Sequence, residues 1–192
     1  MSTVRIIECP RDAMQGLPDF IPTDTKADYI NSLLKVGFDT IDFGSFVSPK
    51  AIPQLKDTAA VVDKLDLSST KTKLLSIVAN VRGAKEACSF EQIDYLGYPH
   101  SISPTFLKRN VNSDEVDSLQ RVEEMINLCD KADKELVVYI SMCFGNPYGD
   151  PWDVDIVEKT TEDLHKLGVR IIPLSDTTGI STLDGIEDCF AR

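Results

Sequence analysis

Three aspartates, Asp12, Asp42 and Asp176, stand where short apolar runs give way to polar residues, and the first directly follows an arginine, Arg11. Carboxylates gathered at strand ends can hold a hard cation through oxygen or serve as acids and bases. Asp42 is the most informative of the three. It follows Thr40-Ile41 inside an otherwise apolar run, and a carboxylate buried there is costly unless a cation, a metal or hydrogen-bond donors lie beside it. Other polar residues close the remaining runs: Gln15 after the first, Ser45 and Ser48 after the second, then Asn80, Ser103, Tyr139 with Ser141, and Ser175 with Thr177. Taken singly, each could be a loop residue or a helix cap.

The elements that must position these groups read as repeated βα units. Ile-, Val- and Leu-rich runs at Val4–Cys9, Thr40–Ser45, Leu74–Asn80, Ile93–Gly97, Leu136–Ser141 and Arg170–Ser175 are the strand candidates, and segments of helical period lie between them. Thr25–Val36 and Pro151–Leu167 are helices stopped by Gly37 and Gly168. In Asp114–Asp130, Val116, Leu119, Val122, Ile126 and Cys129 recur at three or four residues and predict the buried face, leaving Glu115, Gln120, Arg121 and Glu124 to solvent. The pattern fits an α/β chain of one domain over residues 1–192. A doubly wound open sheet and a TIM (β/α)8 barrel both satisfy it, but Glu8-Cys9-Pro10-Arg11-Asp12-Ala13 after the first strand lacks the glycine-rich phosphate fingerprint of the former. In the barrel, working groups sit where strands run out into their following loops.

Composition excludes several partners. A net charge of −11 with no basic block gives no footprint for nucleic acid. No run approaches the roughly 20 apolar residues that cross a bilayer, so no membrane is expected and the cytoplasm is the predicted location. Five cysteines, without a C-x-x-C pair, indicate neither a disulfide framework nor structural zinc, and most read as small core residues. His100, in a loop after Tyr98-Pro99, and His165, on a helix, have no partner histidine two residues away.

Glu8-Cys9-Pro10-Arg11-Asp12-Ala13-Met14-Gln15 is similar to the Arg-Asp-(Gly/Ala) motif of metallolyase and Claisen-condensing TIM barrels. Ser45-Phe46-Val47-Ser48-Pro49-Lys50-Ala51-Ile52-Pro53-Gln54 narrows the likeness: it resembles the hydroxymethylglutaryl-CoA lyase branch. The resemblance continues through Phe106–Asn112, Tyr139–Ser141, Gly145–Tyr148 and Leu174–Gly179. It implies a lyase cleaving 3-hydroxy-3-methylglutaryl-CoA to acetoacetate and acetyl-CoA, in leucine and ketone-body metabolism. Carried over, Asp12 would ligate a divalent cation, Mg2+ or Mn2+, and Arg11 would contact the substrate carbonyl and stabilise the enolate oxygen. Asp42, where the branch can carry a glutamate, would give acid–base or metal-shell support. Asp176 would support the same shell, and Gln15 and Tyr139 would face substrate. Lys108, Arg109 and Asn110, on a loop after the fourth strand, would meet the CoA phosphates. Two departures stand out: Asn146 where relatives can have cysteine, and Val137 where an arginine is sometimes found.

The resemblance also implies a His-x-His pair on a seventh strand, a further asparagine and a Gly-Gly-Cys-Pro loop, none of which occurs in these 192 residues. A TIM barrel needs about 250 residues and eight strands. The expectation is therefore an incomplete barrel of about six βα units, a fragment of a longer lyase that is inactive alone and homodimeric at full length. A Claisen-type 2-isopropylmalate or citramalate synthase is the nearest alternative enzyme. A truncated, non-catalytic binding subunit is the alternative of another class.

Overall fold

In the computed structural model, which describes residues 4–192, the apolar runs become strands β1 (Ile7–Glu8), β2 (Thr40–Ser45), β3 (Lys73–Ile77), β4 (Tyr95–Ser101) and β5 (Glu135–Ser141). Their order in the sheet is their order in the chain, and β1, β2 and β3 pair in parallel. Parallel neighbours need crossovers, which here are helices α1 (Pro10–Gln15), α2 (Thr23–Leu33), α3 (Thr58–Val62), α4 (Val81–Cys88), α5 (Pro104–Val111), α6 (Glu115–Lys131) and α7 (Val154–Lys166), and α8 (Leu183–Ala191) follows the last bridge. The chain divides into two units, one running to Leu96 and including Ala132–Lys134, the other formed by Gly97–Lys131 and Glu135–Arg192.

In the first unit β2 is buried at every position, although only Ile41 and Phe43 of its six residues carry large apolar side chains. Ile30 and Leu34, Ile41 and Phe43, Val61 and Val62, Leu74 and Leu75, and Ala84 and Ala87 make its core. Each large side chain among them contributes about 1.5–3 kcal/mol by leaving water. α4 is capped by Asn80, whose Oδ1 accepts from the Gly83 amide at 3.0 Å. Gly83 itself lies so close to β2's exit that a Cβ would stand 2.3 Å from the Phe46 carbonyl oxygen. β1 forms only two rungs, not the six residues expected: Pro10 opens α1 directly after Cys9, and residues 4–6 lie outside the ladder.

In the second unit α6 buries Ser118, Val122, Met125 and Cys129, flanked by Leu119 and Ile126. Val116, expected on this face, is 66% exposed; Ser118 takes the inner position because its hydroxyl bonds to Tyr98 and His100. His100 is not in a loop: β4 continues through Pro99 to Ser101, and the imidazole is buried. Lys108, Arg109 and Asn110 lie on α5 instead of a loop, since Ser103 caps the Phe106 amide and Pro104 supplies a preset first helical residue. The sixth strand is reduced to two bridges, Val137 to Ile171 and Ile140 to Leu174. The carbonyls of Ile171 and Pro173 accept from β5 and the Ser175 amide donates back, but Pro173 has no N–H to complete the rung between. Gly168, just past α7, has a φ of 103°, as its position after the last turn predicts; α2 ends at Leu33, short of the Val36 expected, and Gly37, with a φ of 93°, closes the turn that follows it.

Candidate active site

Arg11 lies in the first turn of α1, immediately past the C-terminal end of β1, and Asp42 lies on the adjacent strand β2. The proline that ends β1 also starts α1, and so fixes where the guanidinium emerges. Arg11 Nε donates to both Asp42 oxygens at 3.2 and 3.1 Å, and Nη2 donates to Oδ2 at 2.6 Å. Nη1 donates to Asp12 Oδ1 at 2.8 Å and to Gln15 Oε1 at 3.1 Å. Since a guanidinium has five N–H groups, one Nη2 hydrogen is left over from these bonds. The arginine is thus a fixed cation with a spare donor at the end of a strand.

Burial lifts the Asp42 carboxyl above the usual carboxylate range, and Arg11 offsets part of that lift. Asp42 in turn keeps Arg11 more firmly charged, against the burial that opposes it. The thiol of Cys9, next along the chain, loses water and faces the Asp42 charge, which together push it up to about 11. Asp12, by contrast, is 70% exposed at its side chain. Its second oxygen is available to a cation, but among the described residues no three His, Cys, Asp or Glu side chains gather to hold one.

Four of the sequence-predicted residues, Arg11, Asp12, Gln15 and Asp42, are brought together in the first unit. The others lie in the second. Lys108 and Asn110 are exposed on α5, and Tyr139 is half-buried on β5. Asp176 accepts from the Ile180 and Ser181 amides at 3.0 and 3.1 Å, and bonds from Ser181 first, then from Ile180 and Gly179, hold it below its usual range. Arg109 stacks on Tyr148, 4.9 Å from the ring centroid. Asp150, which sequence reasoning passed over, accepts from Ser103 Oγ at 2.5 Å and from the Thr105 amide and hydroxyl at 3.0 and 2.9 Å. Asn146, one of the departures, orders the same turn by accepting from the Tyr148 and Asp150 amides. Lys26 was also passed over. It is buried on α2, donating to the Gln54 carbonyl and, at 2.7 Å, to Asp57, and its sequence signal is a lysine beside Ala27 and Ile30 on the helix's inner face. Gln54 fastens its stretch to the chain before α2, donating to the Asp19 carbonyl and accepting from the Ile21 amide. Of the cysteines only Cys129 and Cys143 are buried; Cys9 is exposed, and Cys88 and Cys189 are half-buried.

Sequential βα units, with an arginine just past the end of β1 held by a carboxylate on the adjacent strand β2, fit an α/β chain of the TIM-barrel class. The chain belongs to the HMGL-like family, whose model matches residues 4–192. It is 31% identical over 186 residues to hydroxymethylglutaryl-CoA lyase YngG of Bacillus subtilis, covering 93% of this chain and 59% of the relative. It is 30% identical over 191 residues to the mitochondrial hydroxymethylglutaryl-CoA lyase of Bos taurus, covering 98% of this chain and 58% of the relative. Among solved structures, the Bacillus subtilis HMG-CoA lyase superposes with a TM-score of 0.91 at 31% identity, over 98% of this chain and 64% of that one. An HMG-CoA lyase from Acinetobacter baumannii, in complex with coenzyme A and 3-methylmalate, gives 0.91 at 29% identity over 98% and 63%. These likenesses establish the TIM-barrel fold and the lyase family; the chain spans about three-fifths of the length of the curated relatives it matches.

Proposed function

We propose that this chain supplies the Arg11–Asp42 half of the active site of a carbon–carbon lyase that cleaves 3-hydroxy-3-methylglutaryl-CoA to acetoacetate and acetyl-CoA. The observation that carries the reading is the Arg11 guanidinium fixed by Asp42 at a strand end, with one N–H unspent. In a retro-Claisen cleavage the substrate's tertiary hydroxyl loses its proton and the new carbonyl forms as the adjacent C–C bond breaks. The bonding pair moves onto the thioester carbonyl, giving the acetyl-CoA enolate, which then takes up a proton at carbon. Arg11 would donate to the enolate oxygen, where negative charge develops, and its fixed geometry would avoid reorganisation at that moment. Asp42 orients Arg11, and Gln15 holds the Nη1 edge.

A divalent cation, Mg2+ or Mn2+, would polarise the substrate's oxygens when bound. Asp12 is the one ligand this chain would offer it, and the remaining ligands are assigned to the rest of the family's architecture. From the resemblance alone, Asp176 and Tyr139 are proposed to bind substrate, and Lys108 and Asn110 to meet the CoA moiety. Support for an acyl-CoA substrate is the coenzyme A complex of the Acinetobacter relative. We assign residues 1–192 to one incomplete catalytic barrel, inactive alone and homodimeric in the whole protein, working in leucine and ketone-body metabolism. Among the described residues no helix is long and apolar enough to cross a membrane, and a cytoplasmic location is proposed.

Two assays on the natural protein that contains this chain separate the readings. Acetoacetate release from the hydroxymethylglutaryl thioester supports the lyase. CoA release that requires a 2-oxo acid would instead assign a Claisen condensation, and neither activity would leave a binding subunit.

A further inference from the structure

At the end of the sheet where β2, β3 and β4 begin, the first unit holds a cavity of about 640 Å³. Asp39 precedes β2, Lys73 opens β3 and Tyr95 opens β4, and all three line it. Asp42 lies three residues beyond Asp39, about 10 Å further along the strand. Working groups of a TIM barrel gather at the opposite, C-terminal strand ends, so this space is separate from the proposed lyase site.

The lining runs against the charge of the chain. Arg5, Lys35, Lys71 and Lys73 face the cavity with a single carboxylate, Asp39, in a protein of net charge −11. Asp94 holds Lys73 at 2.6 Å, and Arg5 Nε stands 3.8 Å from Asp39. Lys35 and Lys71 are exposed and make no ion pair among the described residues. The walls between these cations are fixed in advance. Thr70 Oγ1 donates to the Leu34 carbonyl at 3.0 Å, Thr72 Oγ1 to the Phe38 carbonyl at 2.7 Å, and the Lys73 amide to the Asp39 carbonyl at 2.9 Å. These bonds tie the approach to β3 onto the turn between α2 and β2, and their donors offset carbonyl oxygens that oppose an anion.

We propose that this cavity is a site for a phosphate chain, held by Lys35 and Lys71 with Arg5 and Lys73 lining the same space. Ammonium groups meet phosphate oxygens as point charges. Four cations around such a space are more than a single phosphate can meet, whereas a di- or triphosphate spans several. The volume falls within the roughly 300–1,000 Å³ of small-molecule sites. Phe38 and Tyr95, both half-buried in the lining, supply aromatic surface for a base, so a nucleotide and free polyphosphate are the two sources of this chemistry. Nothing in the site depends on the lyase reading.

Calorimetric titration of the natural protein that contains this chain, in buffer holding Mg2+ and saturating CoA, measures tripolyphosphate and ATP binding. Wild type is compared with Lys35→Ala/Lys71→Ala and with Lys85→Ala/Lys131→Ala, which removes the same charge from exposed lysines outside the cavity. Wild type should bind with CoA present. The cavity variant should bind at least about tenfold more weakly, and the outside pair no more than about twofold. ATP binding tighter than tripolyphosphate would name a nucleotide as the ligand; equal affinities would name free polyphosphate. No binding to wild type, binding that is lost when CoA is added, or equal losses in the two variants would overturn the site.

Discussion

Arg11 grips Asp42 through both Nε and Nη2, and the carboxylate it grips is 1% exposed. The cation is oriented by a charge that water barely reaches, so the pair behaves as one fixed unit.

Asp42→Asn should reveal what that burial costs. The folded-state pKa of Asp42 is raised by burial, so the folded protein holds this proton more tightly than the unfolded chain does. Its contribution to stability is then fully present below the unfolded value of about 3.9 and is lost as pH rises through the raised folded value. Urea unfolding of wild type and Asp42→Asn across this range should show wild type losing ground relative to the variant as pH rises. A gap that widens in favour of wild type would contradict the direction.

His100 has the opposite sign. Burial pushes its imidazole down to about 4, with Nδ1 2.8 Å from Ser118 Oγ. A depressed histidine contributes stability above its unfolded value of about 6.5 that is lost as pH falls toward the folded one, here about 3 kcal/mol in all. His100→Asn should flatten that acid limb. Denaturant midpoints at pH 7.5 and pH 4.5 measure it, and an unchanged wild-type slope in the variant would contradict it.

Close backbone approach makes the third test. Gly83→Ala places a Cβ 2.3 Å from the Phe46 carbonyl oxygen and should destabilise by about 1–3 kcal/mol. Gly16→Ala meets nothing within 4 Å at a right-handed φ of −90° and should be neutral or stabilising by up to about 1 kcal/mol. Thermal melts of the two variants should move apart.

Legibility followed periodicity and local chemistry. β2 was readable to its ends because Ile41 and Phe43 alternate with Thr40, Asp42 and Gly44 at the period of a strand, while the burial of both its faces was not readable. Arg11, Asp12, Gln15 and Asp42 were readable as strand-end polar residues, and the structure joins them. The sixth strand was overread because Arg170–Ser175 has the composition of a strand while Pro173 removes a donor from its ladder. α5 was underread because a short helix with polar residues resembles a loop until Ser103 and Pro104 are seen as its cap and first turn. Lys26 and Asp150 were missed because their partners, Asp57 in one case and Ser103 with Thr105 in the other, are 31 to 47 residues away. Pattern along the chain does not carry such pairings.

The role of Arg11 is tested most directly by acetoacetate formation in the natural protein carrying Arg11→Gln. Removing one preorganised donor from a developing oxyanion should lower kcat by about 100- to 1,000-fold with KM moved far less. Arg11→Lys should not rescue it, because an ammonium cannot bridge Asp42 and still present a donor in the same plane. Activity in Arg11→Gln within threefold of wild type would contradict the account.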